Sequence, residues 1–374
     1  MRSALQRFWA EWSWPLQVFL LTRLALLGAA FFADIALPGP PEAAGRLEPS
    51  NLWLDVWARW DSGFCLHIAT QGYYLYPDEP SAVAFFPLYP LLLKGLAGLV
   101  GNAVLAGVLL SHLSFALALM VLWKLSLQLL NSPAAARRAV LYLAIFPTSF
   151  YFSAVYTESL SLLWVLLAFY ALHERRWEWA AVSAALASAT RVTGILLAGV
   201  LWLEYLRAWE GRSRWPVGLA LAGVGSLGLL SYMAFLAVQF GDPLAFWSVQ
   251  GSFSREVGGF IEEIRPLFQQ NFLTGPISWN VLLDLLALVF GVVGSLVAAR
   301  RLGLGYALFG LLSLLIPFSS GTGSLSRYVL MVFPAFMVLA EAAERPWLDS
   351  LIRFIFPLLL GLLLAIHVNG IFVA

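Results

Sequence analysis

The chain has 374 residues, 61% of them hydrophobic and only 11% charged, with a formal net charge of +1. Soluble domains carry roughly 25% charged residues, so long apolar runs in a chain this poor in charge describe a polytopic, all-α membrane protein. The runs are unbroken rather than alternating, which excludes a β-barrel. The near-zero charge gives no footprint for nucleic acid, and the lone cysteine, Cys65, excludes an intramolecular disulfide or a thiolate metal cluster.

In chain order, residues 1–15 carry Arg2, Arg7 and three of the 16 Trp and read as an interfacial, cytoplasmic lead-in. No small-residue cleavage site follows the next apolar run, so residues 16–37 are expected to be a retained first span. Arg23 and Asp34 in or near it should face neighbouring helices, or the arginine should snorkel. Pro38-Gly39-Pro40-Pro41 breaks that helix and opens the first extracytoplasmic loop, residues 37–101. Within this loop the apolar stretch 85–100 is short and holds Pro87, Pro90 and Lys94. Counted as a span it would put Arg137-Arg138 outside, against the positive-inside rule. It is expected to be a juxtamembrane helix. From there the basic clusters Arg137-Arg138, Arg175-Arg176, Arg207 with Arg212 and Arg214, Arg300-Arg301 and Arg345 set every turn. They predict about eleven spans with the N-terminus cytoplasmic, a second extracytoplasmic loop at 241–278, and one membrane domain over 1–374.

That topology gathers specific polar side chains at one membrane face: Asp61 in the first loop, Lys94 on the juxtamembrane helix, Glu158 opening the fourth span, Arg191 at an outer turn, and Arg327 with Tyr328 after the last outer loop. Cations there would hold a phosphate, and a carboxylate would take a proton from an attacking hydroxyl. Each residue also has a structural reading. Asp61 pairs with Arg59 or caps the helix starting at Ser62. Glu158 complements a helix dipole, Arg191 and Arg327 anchor at the interface, and Lys94 snorkels. His67 has no ligand partner one turn away and reads as a packing histidine, and Asp78-Glu79 read as a solvated turn. A transporter or lipid flippase is the rival from another class. It calls for charged or broken helices near mid-membrane and two related halves, neither of which stands out.

The stretch Arg59-Trp60-Asp61, Phe64, Leu66, Ile68-Ala69, Gly72-Tyr73 and Ala84-Phe85-Phe86-Pro87-Leu88-Tyr89-Pro90-Leu91 resembles the PIG-V family of mannosyltransferases. So do Phe146-Pro147 with Ser153-Ala154-Val155-Tyr156-Thr157-Glu158-Ser159 and, more loosely, Arg191 with Gly194 and Arg327-Tyr328. Eukaryotic members of that family add the second mannose to glycosylphosphatidylinositol anchors. The resemblance implies a GT-C glycosyltransferase fold and an inverting transfer from a polyprenyl-phosphate sugar donor to a lipid-linked or cell-surface glycan acceptor. By motif, Asp61 and Glu158 take the catalytic positions, with Arg59, Trp60, Lys94, Arg191, Arg327 and Tyr328 as substrate- and phosphate-binding residues. The small outer loops point to a prokaryotic relative in a plasma membrane. A lipid-phosphate donor needs no P-loop or dinucleotide fingerprint, so no nucleotide or redox cofactor is expected. Oxygen ligands leave little trace in a sequence, which keeps the question of a divalent cation open.

Overall fold

The computed structural model describes residues 4–37, 46–76, 78–209, 215–253, 260 and 279–373. Among these residues every regular element is helical. The first half comprises α1 (Ala4–Ala36), α2 (Leu52–Asp55), α3 (Ser62–Thr70), α4 (Leu88–Val100), α5 (Ala103–Leu129), α6 (Pro133–Ile145), α7 (Glu158–His173), α8 (Trp177–Thr190) and α9 (Leu196–Ala208). The second half comprises α10 (Trp215–Gly225), α11 (Leu227–Phe240), α12 (Ala245–Ser248), α13 (Trp279–Arg301), α14 (Leu304–Phe318), α15 (Leu325–Tyr328), α16 (Phe333–Ala342) and α17 (Pro346–Val368). Most of the second extracytoplasmic loop expected at 241–278 lies outside the described residues.

Four helices are long and apolar enough to cross a membrane, namely Phe8–Ala36, Ala103–Leu129, Trp279–Arg301 and Pro346–Val368. The number rises to six if α10 with α11, bent by 51°, and Leu325–Met331 with α16, bent by 79°, each count as one span. The expected eleven also counted helices such as α7, whose 16 residues reach about 24 Å, less than the roughly 30 Å of a hydrocarbon core. Nearly all of α7 is buried by its neighbours. It lies inside the bundle, where a helix need not match the thickness of lipid.

Two details explain departures from the expected helix limits. α1 does not wait for Pro15 to pass but runs through it. A proline leaves the carbonyl four residues back unpaired, and here the Trp123 indole N–H donates to that carbonyl of Glu11 at 3.1 Å. The expected span from Arg327 to Ala340 is instead broken at Val332 (φ −83°, ψ 56°), with Pro334 in the first turn of α16, because Pro334 has no N–H to continue the ladder. As expected, α4 is a short helix that begins after Pro87 and packs on α3 and α5. Tyr89 ties it to α5 by donating to the Gly107 carbonyl at 3.1 Å.

Arg23 faces protein rather than lipid. Its guanidinium donates to the carbonyls of Ser149 (2.9 Å) and Ala144 (2.7 Å) and to Ser153 Oγ (3.2 Å). A cation at the carbonyl end of α6 meets the negative pole of that helix. It fastens α1 to the loop that leads into Glu158.

Candidate active site

The backbone first brings two distant stretches together. Val155 donates its N–H to the carbonyl of Trp57 at 3.0 Å, and the Asp61 N–H donates to the Tyr156 hydroxyl at 3.2 Å. The loop preceding α3 is thereby laid along the loop preceding α7, so Asp61 and Glu158 open neighbouring helices. Arg191 lies where α8 gives way to the turn Val192–Ile195, with extended backbone at φ −152°. Arg327 comes from α15, 266 positions along the chain from Asp61.

These four side chains form one ion-paired chain. Arg327 Nη1 lies 2.6 Å from Asp61 Oδ2, and its Nε lies 3.3 Å from Glu158 Oε1. Arg191 Nη1 lies 2.5 Å from the same Glu158 oxygen and 3.4 Å from Thr157 Oγ1. The Glu158 and Arg327 side chains are 1% and 5% exposed, whereas Asp61 keeps 25% of its side-chain surface. The acid that remains accessible is therefore Asp61. Aromatic rings enclose the cations: Arg191 stands 4.9 Å over the ring of Tyr328, and Arg327 lies 5.4 Å from that of Tyr156 and 5.6 Å from that of Tyr151. Burial pushes the Tyr151 and Tyr156 phenols well above the usual tyrosine range, so both stay protonated and serve as hydrogen-bonding walls rather than as bases.

Asp61 occupies the N-cap position of α3, but its side chain makes no capping bond. Nor does it pair with Arg59; its carboxylate is turned to Arg327. Arg59, expected at the phosphate, points elsewhere. It is 3% exposed, lies 2.7 Å from Asp55 and 3.5 Å from Asp34, and donates to the Val368 carbonyl of α17 at 3.2 Å. Arg46 completes this balanced cluster at 3.0 Å from Asp34 and 3.2 Å from Asp55. Two buried acids need counter-charges close by, and the residue two positions before Asp61 is consumed in supplying one.

Lys94 is exposed on α4 and forms no ion pair among the described residues. Trp60 sits beside Asp61 with φ at 50°, 37% exposed, its ring edge-on to Phe372 at 5.4 Å. A bulky residue in the left-handed region is strained by about 1–2 kcal/mol, and here the strain holds an indole at the surface next to the accessible acid. His67, expected in the packed interior, is exposed and rests edge-on against Tyr74 at 4.8 Å. Asp78 and Glu79 lie in an exposed turn, as expected.

Buried polar atoms without a partner concentrate at this site. Glu158 Oε2, the hydroxyl of Ser62 and both ring nitrogens of His367 are buried and make no hydrogen bond. The His367 ring sits against Phe150 and Tyr151, at 4.9 and 5.3 Å. Buried polar groups are normally satisfied, and unpaired ones gathered beside an accessible carboxylate mark a place where water or a polar ligand completes the structure. Among the described residues no three His, Cys, Asp or Glu side chains gather to hold a metal ion, and both site carboxylates are turned onto guanidinium groups. At the other end of the bundle a cavity of about 400 Å³ is lined by His173, Arg175, Arg207 and Glu204. Glu204, its lone acid, is already bonded to Arg207 and to the Gly305 N–H, both at 3.1 Å.

Sequence reasoning missed His367, Tyr151, Tyr156 and Asp284, a buried acid on α13. For Asp284 a signal existed, since one acid inside an apolar run is costly and seldom idle.

The turn that carries Arg191 depends on Gly194. A Cβ there would fall 2.2 Å from the backbone of Ala187 on α8, which cannot move aside, whereas a Cβ at Gly199 would meet nothing within 4 Å. We expect Gly194→Ala to cost about 1–3 kcal/mol and Gly199→Ala, inside α9, to stabilise by up to about 1 kcal/mol. Thermal unfolding of the two variants in detergent checks the contrast.

Residues 28–209 match the family model described as Mannosyltransferase (PIG-V). GPI mannosyltransferase 2 of Drosophila pseudoobscura pseudoobscura is 32% identical over 166 residues, which are 37% of this chain and 36% of that protein, so the match spans about a third of the relative's length. Among solved structures, ArnT from Cupriavidus metallidurans bound to undecaprenyl phosphate superposes with a TM-score of 0.50 at 18% identity, over 87% of this chain and 60% of that one. The Archaeoglobus fulgidus oligosaccharyltransferase gives a TM-score of 0.47 at 12% identity, over 97% and 56% of the two chains. The likeness to ArnT is one of fold alone. The matched residues 28–209, just under half of the chain, hold Asp61, Glu158 and Arg191, and in them the chain is similar to the PIG-V mannosyltransferases.

Proposed function

We propose that this protein is an inverting GT-C glycosyltransferase. It moves mannose from a polyprenyl-phosphate donor onto a hydroxyl of a lipid-linked or cell-surface glycan at the extracytoplasmic face. The observation that carries this reading is the chain of ion pairs Asp61–Arg327–Glu158–Arg191, with its one accessible carboxylate. Sidedness follows from charge. Arg175-Arg176, Arg207, Arg300-Arg301 and Arg345 all lie at the helix ends opposite to this cluster, which the positive-inside rule assigns to the cytoplasm.

In this mechanism the acceptor oxygen attacks the anomeric carbon from the face opposite the phosphate. The new carbon–oxygen bond forms as the bond to the phosphate oxygen breaks. The acceptor's proton passes to Asp61, and polyprenyl phosphate departs with the bonding pair. Arg327 holds the Asp61 carboxylate in place until then. The contacts among described residues use Nη1 and Nε of Arg327 and Nη1 of Arg191. A guanidinium has five N–H donors, so each retains donors on its second Nη for phosphate oxygens, and such fixed charges act on the transition state without reorganising. Glu158 serves this reading by holding both cations in place. The exposed Trp60 indole offers a flat apolar surface beside Asp61 against which a sugar ring packs. One base and no covalent intermediate suffice for inversion. The carboxylates are spent on arginines, so no step is routed through a metal ion.

The test is direct. Purified protein in nanodiscs is given polyprenyl-phosphate mannose labelled in the sugar, together with mannose-bearing glycolipids. We expect label to appear in the acceptor and free polyprenyl phosphate to accumulate in equal amount. Lipid or solute flux in proteoliposomes without any transfer would instead establish the transporter.

A further inference from the structure

Arg327 is delivered to the site by a short helix, not a long one. The residue that begins this turn, Ser324, stands in the left-handed region at φ 70°, and α15 is only four residues long. Such a segment has little rigidity of its own. Yet the position of Arg327 sets both Asp61 and Glu158. The residue just before it, Ser326, is held through the peptide units on both of its sides. The Ser326 N–H donates to Asp284 Oδ1 on α13 at 2.7 Å. The Ser326 carbonyl accepts from Thr148 Oγ1 at 2.6 Å. Both partners are buried, with Thr148 fully enclosed and Asp284 2% exposed. Asp284 lies in the second turn of α13, at the same end of the bundle as Asp61, and Thr148 comes from the loop between α6 and α7 that also leads to Glu158.

We propose that Asp284 is a positioning residue for the active site: with Thr148 it clamps Ser326 and so fixes the guanidinium of Arg327 between Asp61 and Glu158. An acid in an apolar helix is expensive to keep, and a hydrophobic residue would pack there without that penalty. What Asp284 provides is a strong, directional acceptor at this turn: it takes the Ser326 N–H next to the bridging arginine, and the Ser326 hydroxyl and the Ser324 N–H also hydrogen-bond to its carboxylate. The two ties act in series with the ion pairs. Loosening Ser326 lets Arg327 drift, and a displacement near 1 Å at a reacting centre costs about 100-fold in rate. Because the acceptor oxygen matters rather than the charge, Asp284→Asn keeps the clamp and Asp284→Leu abolishes it.

This inference rests on the transferase reading for its kinetic part, so the experiment has a second readout. Full-length Asp284→Asn, Asp284→Leu and Thr148→Val are purified and compared with wild type in mannosyl transfer. Their affinity for undecaprenyl phosphate is measured separately, by its shift of the thermal unfolding midpoint. For Asp284→Asn we expect kcat within threefold of wild type. For Asp284→Leu we expect kcat lower by about 100-fold, together with a raised donor KM and a weakened response to undecaprenyl phosphate, since both bind through the same phosphate. Thr148→Val should lose in the same direction by about tenfold, and it carries the test should Asp284→Leu fail to fold. If Leu at 284 and Val at 148 both match wild type in both readouts, the clamp is overturned. It is equally overturned if Asp284→Asn folds as wild type does yet is as inactive as Asp284→Leu, because charge and not the hydrogen bond would then be at work. Should no protein, wild type included, transfer sugar while Asp284→Leu and Thr148→Val lose the response to the lipid phosphate and Asp284→Asn keeps it, the clamp stands and the transferase reading falls.

Discussion

On the proposed mechanism we expect Asp61→Asn to lower kcat for mannosyl transfer by about 100- to 10,000-fold, the range that a positioned general base supplies, with the fold intact. The substitution keeps the shape of the side chain and removes both its proton affinity and its charge attraction for Arg327. Stability should change little. Asp61 retains a quarter of its side-chain surface, and Arg327 keeps Glu158 as a counter-ion. An ion pair with one partly solvated member contributes modestly once screening by water is counted. Single-turnover assays with labelled donor separate the chemical step from product release, and thermal unfolding in the same detergent verifies the fold. Turnover close to that of wild type would take Asp61 out of the base position and leave it as a tether for Arg327.

Glu158→Gln has its largest effect on stability. Glu158 is almost wholly enclosed and neutralises two guanidiniums at once. Removing one partner from a buried ion pair leaves an uncompensated charge and costs about 3–5 kcal/mol. A glutamine fits the space and accepts hydrogen bonds, but it cannot offset Arg191 and Arg327, which would then share Asp61 alone. We expect a lower midpoint of thermal unfolding than for Asp61→Asn, together with lost turnover because both phosphate-directed cations move. A Glu158→Gln protein as stable as wild type but inactive would assign Glu158 to the chemistry itself.

The two carboxylates thus differ in kind, although in the sequence they look alike, each opening a helix at the same face. What separates them is how much water each retains. Exposure depends on the packing of α7 against α5, α8 and the turn after α15, none of which is written near either residue. The same holds for the two arginines that flank Asp61 in space and in sequence. Arg59 is two positions away, and its side chain is taken by Asp55 and Asp34. Arg327 is 266 positions away and bonds Asp61 directly. Neighbourhood along the chain pointed to the wrong partner.

Helix order, the short α4 after Pro87 and the shared end for Asp61, Glu158, Arg191 and Arg327 were all readable from residue order. They follow from quantities local to the chain: the length of apolar runs, the placement of basic clusters and the prolines that stop or start helices. Side-chain partners were not readable in this way. Arg59 turned to a buried acid cluster and His67 to the surface, while Asp284 came to hold Ser326. Each of these outcomes depends on which helix faces which and on how deeply a charge is enclosed. A charge buried in a bundle takes whatever counter-charge or hydrogen bond the packing sets beside it, and that is a property of the assembled helices rather than of any stretch of sequence.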